Sequence, residues 1–198
     1  MKSKLVKLLS GLEDFQDPKA SLEQYMTPPE LAADILHSAE MQEDVGAGKK
    51  VVDLGSGTGI FAIGAALLGS EVVAVEKDEE ALETAEKNAG KLEVRDRIEF
   101  RHEEVAELKG DFDTCLMNPP FSVHSEEEIK FFEKALEVSS VIYSIVYEER
   151  LSEVRDRVER SDFSIVEQQS YSIELPPTHG FHTEEAHEAE LCVIVARK

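Results

Sequence analysis

Residues 117–122 read Met117-Asn118-Pro119-Pro120-Phe121-Ser122, placing a carboxamide, two prolines and a phenyl ring directly after the apolar run Phe112 to Met117. Consecutive prolines supply no backbone N–H and cannot continue a strand inside a sheet, so the strand stops here. A rigid turn is the simplest account. The same residues also suit chemistry on a planar amine. A carboxamide oxygen and a neighbouring carbonyl can accept both of its hydrogens, and a ring can stack on the plane that carries it. Asn118, Pro119, Pro120 and Phe121 are the candidate catalytic residues.

A second group lies upstream. VVDLGSGTGIF sets Gly55, Gly57 and Gly59 between a strand-like run and a helix-like run. Glycines there let the backbone turn and approach a ligand closely, beside the free N–H groups of a helix start. A dinucleotide fingerprint needs a third glycine where Ile60 stands. Asp53, just before the loop, would repel a pyrophosphate but suits a cationic or amine-bearing ligand. Glu76 ends the next apolar run, where a carboxylate can accept from both ribose hydroxyls. Glu104 follows the third run and could receive the exocyclic amine of an adenine. Each acid alone is equally a surface charge. Their order fits the C-terminal ends of parallel strands, where open α/β sheets bind ligands.

The elements that must position these groups alternate. Strands are expected at Lys50–Leu54, Glu71–Val75, Ile98–His102, Phe112–Met117, Val141–Val146, Ser164–Glu174 and Glu190–Ala196, with helices after the first, second and fourth of them and at Leu151–Arg160. Alternation of this kind predicts crossover connections and a mostly parallel sheet with helices on both faces. The last two strands have no helix between them and are expected to pair antiparallel. Before the first strand, Leu5, Leu8, Leu9 and Leu12 share one face of a short amphipathic helix. Pro28-Pro29 opens a second, with Thr27 as its expected cap. One domain is expected over residues 1–198, with 1–45 a helical cap carrying Gln24-Tyr25-Met26-Thr27 and 46–198 the core.

The bulk properties narrow the class. Acids outnumber bases 42 to 21, for a net charge of −21. They are spread along the helices, as in EKDEEALETAEKN. Such a surface repels itself at low salt, and at about 1 M salt the screening length falls to roughly 3 Å. A salt-rich cytoplasm is the expected setting. No run is long and apolar enough for a membrane span. Cys115 and Cys192 sit in apolar strand-like runs and are expected as buried free thiols. His179, His182 and His187 match no metal-ligand spacing, and no metal is expected. Lys2, Lys4, Lys7, Arg95, Arg97 and Arg101 are the candidate contacts for an anionic partner.

The order of glycine loop, ribose acid, adenine acid and Asn-Pro-Pro-Phe resembles the class I S-adenosylmethionine-dependent methyltransferases, whose Rossmann-like sheet has seven strands with an antiparallel final strand. LEQYMTPPELAA, DLGSGTGIFAIGAALLG, Glu76 with Asp78, MNPPF, Tyr143-Ser144 and ELPPTHGFH are similar, in order, to landmarks of one group among them. That group is the small-subunit ribosomal RNA N6-adenine methyltransferases of archaea and eukaryotes, the methyltransferase-like five family. The resemblance implies S-adenosyl-L-methionine as cofactor. Gln24, Tyr25 and Thr27 would help hold it, and Asp53, Gly55 and Gly57 would line its methionine end. Glu76 would take the ribose and Glu104 the adenine, with Gly59, Asp78 and Asn118 completing the set. It further implies RNA as substrate and a small zinc-binding activator protein that adds a strand to the sheet edge. Methylation of a protein glutamine amide or of DNA adenine uses the same clamp, and a catalytically silent binding module would keep the loop alone. Met26 stands where the family has proline. Thr183-Glu184-Glu185-Ala186-His187 replaces a lysine-rich stretch, so RNA recognition would lean on stacking and base edges.

Overall fold

The computed structural model describes residues 2–120, 127–175 and 187–198. Phe121, His179, His182 and the Thr183–Ala186 stretch lie outside the described residues. The elements in chain order are α1 (Lys2–Leu9), α2 (Pro29–Met41), β1 (Lys50–Leu54), α3 (Ile60–Leu67), β2 (Glu71–Glu76), α4 (Glu79–Lys91), β3 (Ile98–His102), β4 (Phe112–Met117), α5 (Glu127–Val138), β5 (Ser139–Tyr147), α6 (Leu151–Glu159), β6 (Ser164–Leu175) and β7 (His187–Arg197). Two single 3-10 turns, Ala20–Leu22 and Val105–Glu107, matter below.

The seven strands form one sheet in the order β3-β2-β1-β4-β5-β7-β6. Strands β1 to β5 pair parallel, and β7 is antiparallel to both β5 and β6. The chain builds outward from β1 to β3, then returns to place β4 on the other side of β1. That reversal opens a crevice at the C-terminal ends of β1 and β4. The expected antiparallel pair is present, but β7 is inserted between β5 and β6. Composition gives the reason. Leu191 to Ala196 is buried on both faces, as an interior strand requires, whereas β6 carries the exposed polar residues Gln168, Ser170 and Ser172 of an edge.

Helices cover both faces. Leu5 and Leu9 of α1, Leu31, Ile35 and Leu36 of α2, and Phe61 and Ile63 of α3 share one core with Val51, Val72 and Ala74 of the sheet. Phe132, Ala135 and Val138 of α5 and Val154 and Val158 of α6 share the other with Val52, Leu54 and Val75. Cys115 and Cys192 are both free and buried. Leu12 is buried beyond the end of α1, while Leu8 is only half-buried.

One expectation needs correction. Thr27 does not cap α2. Pro28 holds the cap position without a side-chain bond and Pro29 begins the helix, where a missing N–H costs nothing. The Thr27 hydroxyl is used elsewhere. The landmark Tyr143 is part of the frame: its hydroxyl donates to Asp44 Oδ2 (2.6 Å). Arg197 clamps the same carboxylate through two nitrogens, at 2.9 and 2.5 Å.

Candidate active site

A cavity of about 410 Å³ opens at the C-terminal ends of β1, β2 and β4. The glycine loop forms its floor. Gly55 and Gly57 have φ of 69° and 51°, a region that side chains rarely adopt. A Cβ on Gly55 would lie 2.8 Å from the Phe131 ring, and one on Gly57 equally close to the Phe15 ring. The bare loop is thus flanked by two phenyl groups, and all four residues line the cavity. Gly59 does not line it. It caps α3 at φ 90°, and its place is set by packing, since a Cβ there would sit 3.0 Å from that of Ala85.

The acids divide into two kinds. Glu76 and Glu104 line the cavity. Glu76 Oε2 accepts from Gly57 N at 2.8 Å and Oε1 from Asp78 N at 2.9 Å, so this carboxylate holds the loop in shape. Each oxygen retains a lone pair for a ligand hydroxyl. Burial first of all raises the Glu76 pKa, against the backbone bonds that lower it. Asp53 and Asp78 do not line the cavity. Asp53 points to the α3 side of the sheet and accepts from Ala62 N at 2.8 Å, bracing the first turn of that helix. Asp78 caps α4 by accepting from Glu80 N. It also accepts from Lys19 Nζ (2.6 Å) and Gln24 Nε2 (2.5 Å).

Burial pushes the Asp53 carboxyl up to about 7 from an ordinary 3.8, partly offset by the Ala62 N–H. A raised folded-state pKa favours the folded state most below the unfolded value, and that contribution fades as pH rises through the folded value. The window therefore runs from about pH 4 to about pH 7. Asp53→Asn removes the titration. The variant should gain stability relative to the parent between pH 4 and 8, by about 1–3 kcal/mol after allowing for an imperfectly paired amide. Urea midpoints at pH 4 and pH 8 check it, and an equal difference at both ends would contradict it.

At the C-terminal end of β4 the amide of Asn118 is held on one side. Its Nδ2 donates to Thr27 Oγ1 at 2.9 Å and lies 3.2 Å from the Tyr25 hydroxyl, which is 3.3 Å from Oδ1. Burial raises the Tyr25 pKa, keeping it a neutral hydroxyl. Oδ1 retains acceptor capacity, and Pro119 and Pro120 follow along the cavity wall. The structure brings together Gln24, Tyr25, Thr27, Gly55, Gly57, Glu76, Glu104, Asn118, Pro119 and Pro120 in one wall.

Among the lining residues not anticipated are Phe15, Ser56 and Phe131. Ser56 was legible as part of the loop. Phe131 lies on the first helix after the prolines, but Phe15 stands in a stretch with no periodicity. The buried Ser56 Oγ has no hydrogen-bond partner among the described residues, which is costly unless a ligand supplies one. The wall carries Glu23, Glu76, Glu104 and Glu107 against Lys77 and Lys130. An excess of acids, an orphan hydroxyl and a bare glycine floor fit a sulfonium-bearing nucleoside such as S-adenosylmethionine. The anticipated basic contacts do not gather here. Lys2 pairs with Asp34, Arg95 with Glu86 and Arg101 with Glu99. Arg97 donates to Gly69 O, at the opposite end of the sheet.

Comparison with known proteins agrees with this geometry. The family model described as the methyltransferase small domain matches residues 31–142. The rRNA N(6)-adenosine-methyltransferase Mettl5 of Drosophila melanogaster is 36% identical over 151 residues, 72% of this chain and 70% of that protein. METTL5 of Danio rerio, which carries the same enzyme name, is 29% identical over 187 residues, 88% of this chain and 87% of that protein. A crystal structure from Pyrococcus horikoshii, provisionally described as an RNA methyltransferase, superposes with a TM-score of 0.92 at 33% identity, covering 100% of this chain and 97% of that one. This chain belongs to the methyltransferase small domain family, and its methyl donor is S-adenosylmethionine.

Proposed function

We propose that the protein methylates N6 of an adenosine in RNA, with small-subunit ribosomal RNA as the substrate. The observation that carries this reading is the Asn118 amide. Its nitrogen side is anchored by Thr27 and Tyr25, and the prolines beside it line the donor cavity. The names of the fly and fish relatives support the choice of rRNA.

The bound cofactor supplies an electrophilic methyl group. The chain's own task is to hold the amine. An exocyclic adenine nitrogen is a poor nucleophile because its lone pair is delocalised into the ring. Asn118 Oδ1 and the Pro119 carbonyl accept its two N–H groups and orient it, and orientation alone is a large catalytic factor. As the nitrogen gains positive character, its hydrogens become better donors and the same two oxygens bind more strongly. That is preferential stabilisation of the transition state. Phe121 stacks on the base. Gln24, Tyr25, Thr27, Glu76, Glu104 and the glycine loop hold the cofactor.

The setting is a salt-rich cytoplasm, where phosphate contacts contribute little. This agrees with a cavity whose described lining carries more acids than bases. A small zinc-binding activator is the proposed partner, its strand added along β3. That is the edge of the sheet running directly into Glu104 and the turn that follows it. A partner there would steady the adenine end of the site.

Nucleoside mass spectrometry provides the test. Recombinant protein, with and without the activator, is incubated with unmodified small-subunit rRNA and labelled cofactor at molar salt. The expected product is N6-methyladenosine at one position, and the same mark should vanish from a deletion strain. Label appearing only in a protein glutamine or in DNA would overturn the RNA assignment.

A further inference from the structure

The segment 13–25 lies across the cavity and, apart from the Tyr25–Asn118 contact at its end, is fastened mainly to α4 and its cap Asp78, which contribute nothing to the cavity wall. Near its start it places Phe15 over Gly57, and its end supplies Leu22 through Tyr25 to the wall. Two sets of bonds hold it. The first is Asn88, fully buried on α4. Its Oδ1 accepts from Glu13 N at 2.8 Å, and its Nδ2 donates to Glu13 O at 2.9 Å and to Thr58 O at 3.1 Å. One amide thus ties the start of the segment to the glycine loop. The second set is at the other end. Lys19 Nζ pairs with Asp78 at 2.6 Å and Glu80 at 3.0 Å, while Gln24 bridges Asp78 Oδ2 and the Lys19 backbone N–H. Glu13 is further paired with Lys91. Within the second set, between Lys19 and Gln24, the chain makes one turn, Ala20–Leu22, and then a kink at Glu23, whose φ is 51°.

We infer that residues 13–25 are a strap that opens to admit and release the cofactor, and that Asn88 and the Lys19–Asp78–Gln24 cluster are its latches. These are positioning residues. They touch the strap and act on the cofactor through Phe15, Gln24 and Tyr25. Asp78 thereby gains a role different from the cofactor contact expected of it. The arrangement suits opening. The latches are hydrogen bonds and ion pairs that can break singly, and the Lys19 pairs are exposed enough for salt to screen them. The strap's body, by contrast, puts one large apolar side chain, Phe15, on the loop. The inference rests on the cavity being the cofactor site and is independent of the RNA assignment.

The test uses the full chain and two readouts. One is dissociation of tritiated S-adenosylmethionine, followed after an unlabelled chase. The other, made without cofactor, is hydrogen exchange at the Glu13 and Lys19 amides, both bonded to side chains in the closed strap. Asn88→Ala should speed dissociation roughly fivefold to tenfold. Lys19→Met, a change at an exposed side chain that spares the fold, should speed it roughly twofold to fivefold. Both amides should exchange faster in step. Raising the salt should speed dissociation in the parent and have less effect in Lys19→Met. Should Asn88→Ala fail to fold, Lys19→Met carries the test alone. Faster exchange with unchanged dissociation would show that the strap does not govern the cofactor. Unchanged exchange would show that these residues are not its latches. A parent protein that binds no S-adenosylmethionine would overturn the cofactor assignment itself, and this inference with it.

Discussion

Asn118→Ala will lower methyl transfer by about 10²–10³-fold, the cost typical of removing one preorganised group aimed at developing charge, while cofactor affinity stays within severalfold. The separation follows from the geometry. Asn118 sits at the end of β4, and its described bonds go to Thr27 and Tyr25, so the glycine loop and Glu76 keep their own contacts without it. What is lost is the oxygen that takes an amine hydrogen. Thr27→Val is the informative companion. It removes the acceptor that anchors Asn118 Nδ2 and leaves Oδ1 in place, so transfer should fall by a smaller factor, about tenfold for one lost hydrogen bond. Single-turnover rates with labelled cofactor, paired with equilibrium binding, separate the two quantities. A parent-like transfer rate in Asn118→Ala would remove the clamp from the account. A loss confined to cofactor binding would make Asn118 a cofactor ligand only.

Much of this site was legible because its parts are short-range. A strand that ends in Asn-Pro-Pro must stop, and a strand followed by three alternate glycines must turn tightly. Both constraints act within a few residues. The parallel sheet was legible from alternation, and the antiparallel character of the last strand from the missing helix. What the pattern did not reveal was non-local. The insertion of β7 between β5 and β6 depends on which of two neighbouring strands is apolar on both faces. Asp53 read as a ligand for a cationic group because it precedes the loop, yet period-two alternation puts it on the face covered by α3, where Ala62 N–H meets it. Thr27 read as a cap because prolines follow it. Its true partner is 91 residues away in sequence. Phe15 gave no signal, since its role arises only when the chain before α2 is folded back over Gly57.

Glu76→Gln should weaken cofactor binding by about two orders of magnitude or more, because the two charge-assisted hydrogen bonds to the loop and to the start of α4 cannot both survive and an acceptor for the ligand is lost as well. In the parent the carboxylate accepts from Gly57 N and Asp78 N, one on each oxygen. An amide can keep one of these bonds. Its NH₂ must then face a backbone N–H, a donor against a donor, and either the loop or the start of α4 shifts. Because both the loop and the start of α4 depend on this one group, the effect should exceed that of Glu104→Gln, whose side chain contributes as part of the cavity wall. The pH dependence adds a second check. Burial raises the Glu76 pKa above the ordinary 4.5. A ligand whose hydroxyls donate to the carboxylate binds the ionised form, so affinity should fall as pH drops through that raised value, beginning above pH 4.5. Glu76→Gln should be weak but flat over the same range. Isothermal titration of the parent and the variant from pH 5 to pH 8 measures both. Parent-like affinity in Glu76→Gln would separate the carboxylate from the cofactor and leave it a loop brace alone.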